Sequence, residues 1–120
     1  MKRIFVVAIC TVQALACSPP AAAHAFLDHA SPRVGSTVRA PPAEVRLWFT
    51  QELEPAFSTL SVHDASGKRI DHGDVKVEDG GDVMRVSLPQ LEPGRYKVTW
   101  RALSIDTHVT EGDFMFEVAK

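Results

Sequence analysis

The chain has 120 residues, with 13 Lys and Arg against 15 Asp and Glu, a formal net charge of −2. So near a balance, it offers no basic footprint for nucleic acid or an anionic membrane surface. The length suits one domain around one core rather than two.

The first element in chain order is a targeting segment. Met1, Lys2 and Arg3 give a positive start, the run from Ile4 to Ala16 is mostly apolar, and Ala21-Ala22-Ala23 fits the small-residue pattern read by signal peptidase. The apolar run is shorter than the roughly 20 residues needed to cross a bilayer, and Pro19 and Pro20 break any helix before the cut. Residues 1–23 are therefore expected to be a secretory signal cut after Ala23, leaving a domain of residues 24–120 that begins with His24. A competing reading is lipidation at Cys17, because Ala14-Leu15-Ala16-Cys17 loosely resembles a lipoprotein signal. Its large aliphatic residue, Leu15, stands one place late for that pattern.

Removing the leader leaves 11 basic against 15 acidic residues, a formal charge of −4, because it holds Lys2 and Arg3 and no acid. It also takes both cysteines, Cys10 and Cys17. The exported domain thus has no disulfide and must hold together by packing. The absence of a thiol suits a protein that meets an oxidising metal, and equally a β-domain that needs no staple.

From there the period is two. "EVRLWFT" puts Val45, Leu47 and Phe49 on one face, "STLSVHD" alternates Leu60 and Val62, and "VMRVSL" alternates Met84, Val86 and Leu88. "GRYKVTWRALS" does the same with Tyr96, Val98, Trp100 and Ala102, and "DFMFEVA" with Phe114, Phe116 and Val118. Turn signals stand between them at Pro41-Pro42, Ser66-Gly67, Asp79-Gly80-Gly81 and Pro93-Gly94. No segment reads as a long amphipathic helix. The pattern predicts an all-β fold, an immunoglobulin-like sandwich or a small Greek-key β-barrel.

A sandwich says nothing about function, so the chemistry must come from side chains, here His24, Asp28, His29, His63, His72, Asp106 and His108. The tightest group is "SIDTHVTEG", in which Asp106 and His108 stand two apart. In extended backbone that spacing points a carboxylate and an imidazole the same way. Taken alone, the pair also fits a surface histidine beside an acid. His24 adds weight to the metal reading, because as a first residue it carries a free α-amine beside its own imidazole and can chelate one ion. With Asp106 and His108 the set is three nitrogens and one oxygen, which suits Cu(II). A serine hydrolase built from Ser104, Asp106 and His108 is disfavoured, since a triad converges with an oxyanion hole and these residues share one short strand and loop.

"HAFLDHASPRVGSTVRAPPAEVRLWFTQELE" and "GRYKVTWRALSIDTHVTEGDFMFEV" resemble the opening and closing segments of the CopC family of periplasmic copper-binding proteins. The closing run is the more specific: Gly94, Tyr96, Val98, Trp100, Arg101, Ser104, Asp106, His108, Gly112, Phe116 and Val118 stand in the family's order and spacing. Ser31-Pro32, Gly35, Pro42 and the Leu47-x-Phe49 strand agree at the other end. The resemblance implies a small Greek-key β-barrel or sandwich and a periplasmic monomer that binds one Cu(II) through His24, Asp106 and His108. It further implies a role as copper carrier or buffer in homeostasis or resistance, with an inner-membrane CopD-type importer as partner. Members with a Cu(I) site carry a methionine-rich segment with a nearby histidine. "STLSVHDASGKRIDHGDVK" contains no methionine, so a Cu(II)-only variant is expected, with His63 and His72 as solvent-facing loop residues. Gln51 stands beside Glu52 where an acid is often seen, and Val109 replaces the usual proline. Neither change removes a ligand.

Two other classes share some of these features. A histidine-first secreted β-sandwich also describes polysaccharide monooxygenases with a copper histidine brace. This chain is shorter, and a carboxylate in the ligand set leaves less room to bind oxygen, so no enzymatic activity is expected. A metal-free adhesion or assembly domain fits if lipidation at Cys17 buries the amine in a longer tail.

Overall fold

The computed structural model describes residues 25–78 and 80–120; the expected leader, His24 and Asp79 lie outside the described residues. The described residues form eight strands, β1 (Leu27–Ser31), β2 (Thr37–Val38), β3 (Glu44–Phe49), β4 (Thr59–Asp64), β5 (Lys76–Val77), β6 (Val83–Ser87), β7 (Gly94–Leu103) and β8 (Val109–Val118), with one 3₁₀ turn at Pro55–Phe57. They make two four-stranded sheets, in the order β1-β3-β6-β5 and β2-β8-β7-β4. The fold is an all-β sandwich, as the alternation predicts.

The sheets close on each other because each long strand has one apolar face. Val45, Leu47, Phe49, Met84 and Val86 from the first sheet meet Leu60, Val62, Tyr96, Val98, Trp100, Ala102, Phe114, Phe116 and Val118 from the second, all buried. Most outward residues of the same strands are polar, and Glu44, Arg46, Glu78 and Arg85 form a charged lattice over β3 and β6. Three short strands carry no alternation and are absent from the sequence reading. β1 and β5 lie at the two edges of the first sheet and β2 at an edge of the second, and β1 is interrupted by a register shift between Leu27 and His29.

β7 and β8 are the longest strands and form a continuous antiparallel pair from Gly94↔Val118 to Leu103↔Val109. β8 begins at Val109, before the segment that the alternation marks. The pairing Trp100↔Gly112 explains why, since Gly112 occupies an inward position whose space the Trp100 ring fills. This hairpin fixes the position of the 104–108 loop at one end of the sandwich.

Candidate metal centre

Ser104 organises that loop. It is 1% exposed, its N–H donates to the His108 carbonyl (3.0 Å), and its own carbonyl accepts from Thr107 N–H (2.9 Å). Its hydroxyl donates to the Asp106 carboxylate and lies 3.2 Å from the His108 carbonyl, while His108 N–H approaches it at 3.3 Å. Between the two candidate ligands, Thr107 has φ +74°, a left-handed conformation that a β-branched residue rarely adopts outside a constrained turn. The loop rests on the segment after β3: Leu53 bridges Ser104, and Glu54 N–H donates to Leu103 O (2.7 Å) and Ile105 N–H to Glu52 O (3.2 Å).

This turn brings Asp106 and His108 together, with Nδ1 and Oδ1 3.3 Å apart and both side chains partly open to solvent. The expected juxtaposition is therefore present, but its cause is different. The pair precedes β8 and converges through the turn at Thr107 and the Ser104 hydroxyl, not through strand alternation. The Asp106 carboxyl is held below the usual carboxylate range, chiefly by the Ser104 hydroxyl; desolvation opposes this, and His108 adds to the lowering. It is an anion at neutral pH.

The spacing suits a shared cation. Two donors each about 2.0–2.1 Å from one ion, at adjacent corners of its coordination sphere, sit about 2.8–3.4 Å apart. Two donors alone make a weak site, and among the described residues no three His, Cys, Asp or Glu side chains gather to hold a metal. The third expected contributor, His24, lies outside the described residues. Its neighbour Ala25 is buried, and the Ala25 carbonyl accepts a hydrogen bond from Thr110 Oγ1 at 2.5 Å, two residues beyond His108. Phe26 N–H donates to Thr50 Oγ1 (3.0 Å), and Thr50 N–H donates back to Phe26 O (2.9 Å).

The other candidates lie elsewhere. Asp28 and His29, on β1, pair with each other at 2.6 Å, and the His29 ring stacks on Trp48 (4.3 Å between centroids, 11° between planes). His72 is exposed, with its N–H on Ser87 O. His63 is half-buried within β4 and not in a loop as expected, on the face opposite Leu60 and Val62. Met84 is buried on β6 and Met115 exposed on β8, on different sheets. The sequence reading gave no positioning role to Ser104, Thr50 or Thr110. A small hydroxyl residue two before the aspartate was the one visible signal for the first; the threonines had none.

A β-sandwich presenting an anchored Asp–His pair on its longest hairpin defines a small domain able to offer nitrogen and oxygen donors to a cation. The chain belongs to the CopC family: the family model for the CopC domain matches residues 27–119. Among solved structures it is similar to CopC from Methylosinus trichosporium OB3b, with 37% identity and a TM-score of 0.75 over 80% of this chain and 94% of that one. It is also similar to PcoC, a methionine-rich copper resistance protein from Escherichia coli, with 28% identity and a TM-score of 0.70 over 79% of this chain and 98% of that one. The copper transport protein CutJ of Bacillus subtilis is 30% identical over 100 residues, covering 82% of this chain; the match spans only 18% of CutJ's own length. The family ties the chain to copper homeostasis, its members are not enzymes, and a periplasmic location is consistent with it. No helix among the described residues is long and apolar enough to cross a membrane.

Proposed function

We propose that the exported chain begins at His24 and carries one Cu(II), bound by the His24 amine and imidazole, the Asp106 carboxylate and the His108 imidazole. The observation that carries this reading is the Asp106–His108 pair, 3.3 Å apart, beside a first described residue whose carbonyl is fastened to β8 at Thr110. Consecutive Cα atoms are about 3.8 Å apart, so a ligand at position 24 has a short path to the loop. Donors of this kind favour Cu(II) over Cu(I). The buried Met84 and the solitary Met115 make no soft cluster of the sort that the methionine-rich PcoC is named for. The protein serves as a monomeric periplasmic carrier or buffer of Cu(II). Its partner is a CopD-type copper importer in the inner membrane, a reading supported by the CopC-like segment within the much longer copper transport protein CutJ.

The test is a single residue added before His24. Displacing the amine from its chelate ring should weaken Cu(II) binding by at least about 100-fold, beyond what changes in a metal's outer shell produce. Mass spectrometry of the exported protein checks the start at His24 directly. Equal affinity with and without the added residue refutes the site.

A further inference from the structure

We infer that Thr50 and Thr110 are positioning residues for copper, a two-sided clamp that fixes where the chain delivers residue 24 to the Asp106–His108 pair. The inference rests on the reading that His24 is a copper ligand, and concerns what holds it in place.

The two threonines belong to different sheets. Thr50 directly follows β3 in one, and Thr110 is the second residue of β8 in the other. Thr110 Oγ1 reaches Ala25 O across 85 residues of sequence, and Thr50 holds both the N–H and the carbonyl of Phe26. The Ala25 methyl is buried, but the Phe26 ring is half exposed. The segment thus has one small core contact, the Ala25 methyl, and the two hydroxyl bonds, with the Thr50 N–H, add direction to where it lies. Chain ends ordinarily fray unless tied down, and a terminal ligand must lose that freedom when it binds. A segment already held in place loses less, so the clamp raises affinity without either threonine touching the ion.

The experiment compares Thr110→Val, Thr50→Val and Thr110→Ser with wild type. Each is measured by competitive Cu(II) titration, by the Cu(II) electron paramagnetic resonance spectrum and by the Tm of metal-free protein. Thr110→Val keeps the side-chain volume and removes the hydroxyl. It should weaken Cu(II) binding about tenfold, as expected for one hydrogen bond, and shift the spectrum. Thr110→Ser should restore both, and Thr50→Val, at an exposed position that tolerates the change, should weaken binding by a similar factor. In protein extended by one residue before His24, Thr110→Val should bring a smaller further loss than in the unextended chain, because the amine it positions is already displaced.

A lowered Tm with unchanged affinity and spectrum for both valine variants would make the hydroxyls part of the fold alone and overturn the clamp. If the extension weakens binding and neither valine variant does, the clamp fails while the copper site stands. If the extension has no effect, the His24 reading fails and takes the clamp with it. Additive losses in the extended protein also overturn the clamp, since it could not then act through residue 24.

Discussion

Replacing Gly112 with alanine tests how the hairpin that carries the site is locked. A Cβ at this position would meet Trp100 Cζ2 at 2.6 Å, Cε2 at 2.9 Å and Nε1 at 3.1 Å. Carbon atoms in good contact sit about 3.5–4.0 Å apart, so the indole must retreat by about 1 Å. It has little room, since the ring is buried and packs edge-on against Phe49 with centroids 5.2 Å apart. The backbone argues the other way: Gly112 is not at positive φ, and removing a strand glycine would by itself stabilise by about 0.5–1 kcal/mol. Overpacking a core destabilises by about 1–3 kcal/mol and should win, leaving a net loss of about 1–2 kcal/mol. For a domain near 100 residues each kcal/mol moves Tm by about 4–8 °C, so Gly112→Ala should melt about 4–16 °C below wild type by circular dichroism. Trp100→Phe lacks the benzo ring that carries Cζ2, the nearest of the three contacted atoms, and in that background Gly112→Ala should cost clearly less than in wild type. A rise in Tm for the single Gly112→Ala variant would show that the ring moves freely, and would refute the reasoning.

Ser104→Ala removes the hydroxyl that holds the Asp106 carboxylate and the His108 backbone. Cu(II) binding should weaken by about 10–100-fold, as when an outer-shell partner of a ligand is lost; unchanged affinity would mean the loop holds its shape without it. Asp71 is a stability test by pH. Its buried side chain would be pushed up in pKa by desolvation, but Arg69 and the N–H groups of Val62 and Gly73 outweigh this and hold it down. With the folded pKa below the unfolded value of about 3.9, its contribution is complete above that pH and is lost as pH falls through the folded pKa. Asp71→Asn should therefore lower stability at pH 7 by about 1–3 kcal/mol and flatten the acid limb below about pH 4 in thermal melts; an unchanged limb would clear Asp71 of that role. Finally, ascorbate with a stoichiometric Cu(I) chelator should strip copper from the loaded protein, because the proposed donors favour the oxidised ion. Retention of Cu(I) would point to a soft site near Met84, Met115 or the mid-chain histidines.

The five long strands could be read from the sequence because each buries alternate residues against the opposite sheet, and that constraint writes a period of two into the chain. β1, β2 and β5 could not, for a physical reason. Of the five residues of β1 only Ala30 is buried, and two-residue edge strands impose no pattern. The beginning of β8 was hidden because a tryptophan on the neighbouring strand fills the space at Gly112, so the apolar group that marks the inward position belongs to another segment. The same logic divides the site. Asp106 and His108 announce themselves by chemistry, whatever their backbone does, which is why the pair was found although a turn with φ +74° at Thr107, not an extended strand, brings it together. Ser104 and Thr110 act through where their hydroxyls point, and an isolated hydroxyl residue in a sequence is equally compatible with solvent. Thr110 meets Ala25 only because the β7–β8 register carries it to the end of the sandwich where the segment before β1 enters. Residues able to donate electrons to a metal are thus visible one at a time, whereas residues that fix where such side chains lie become visible only in pairs, once the fold has chosen their partners.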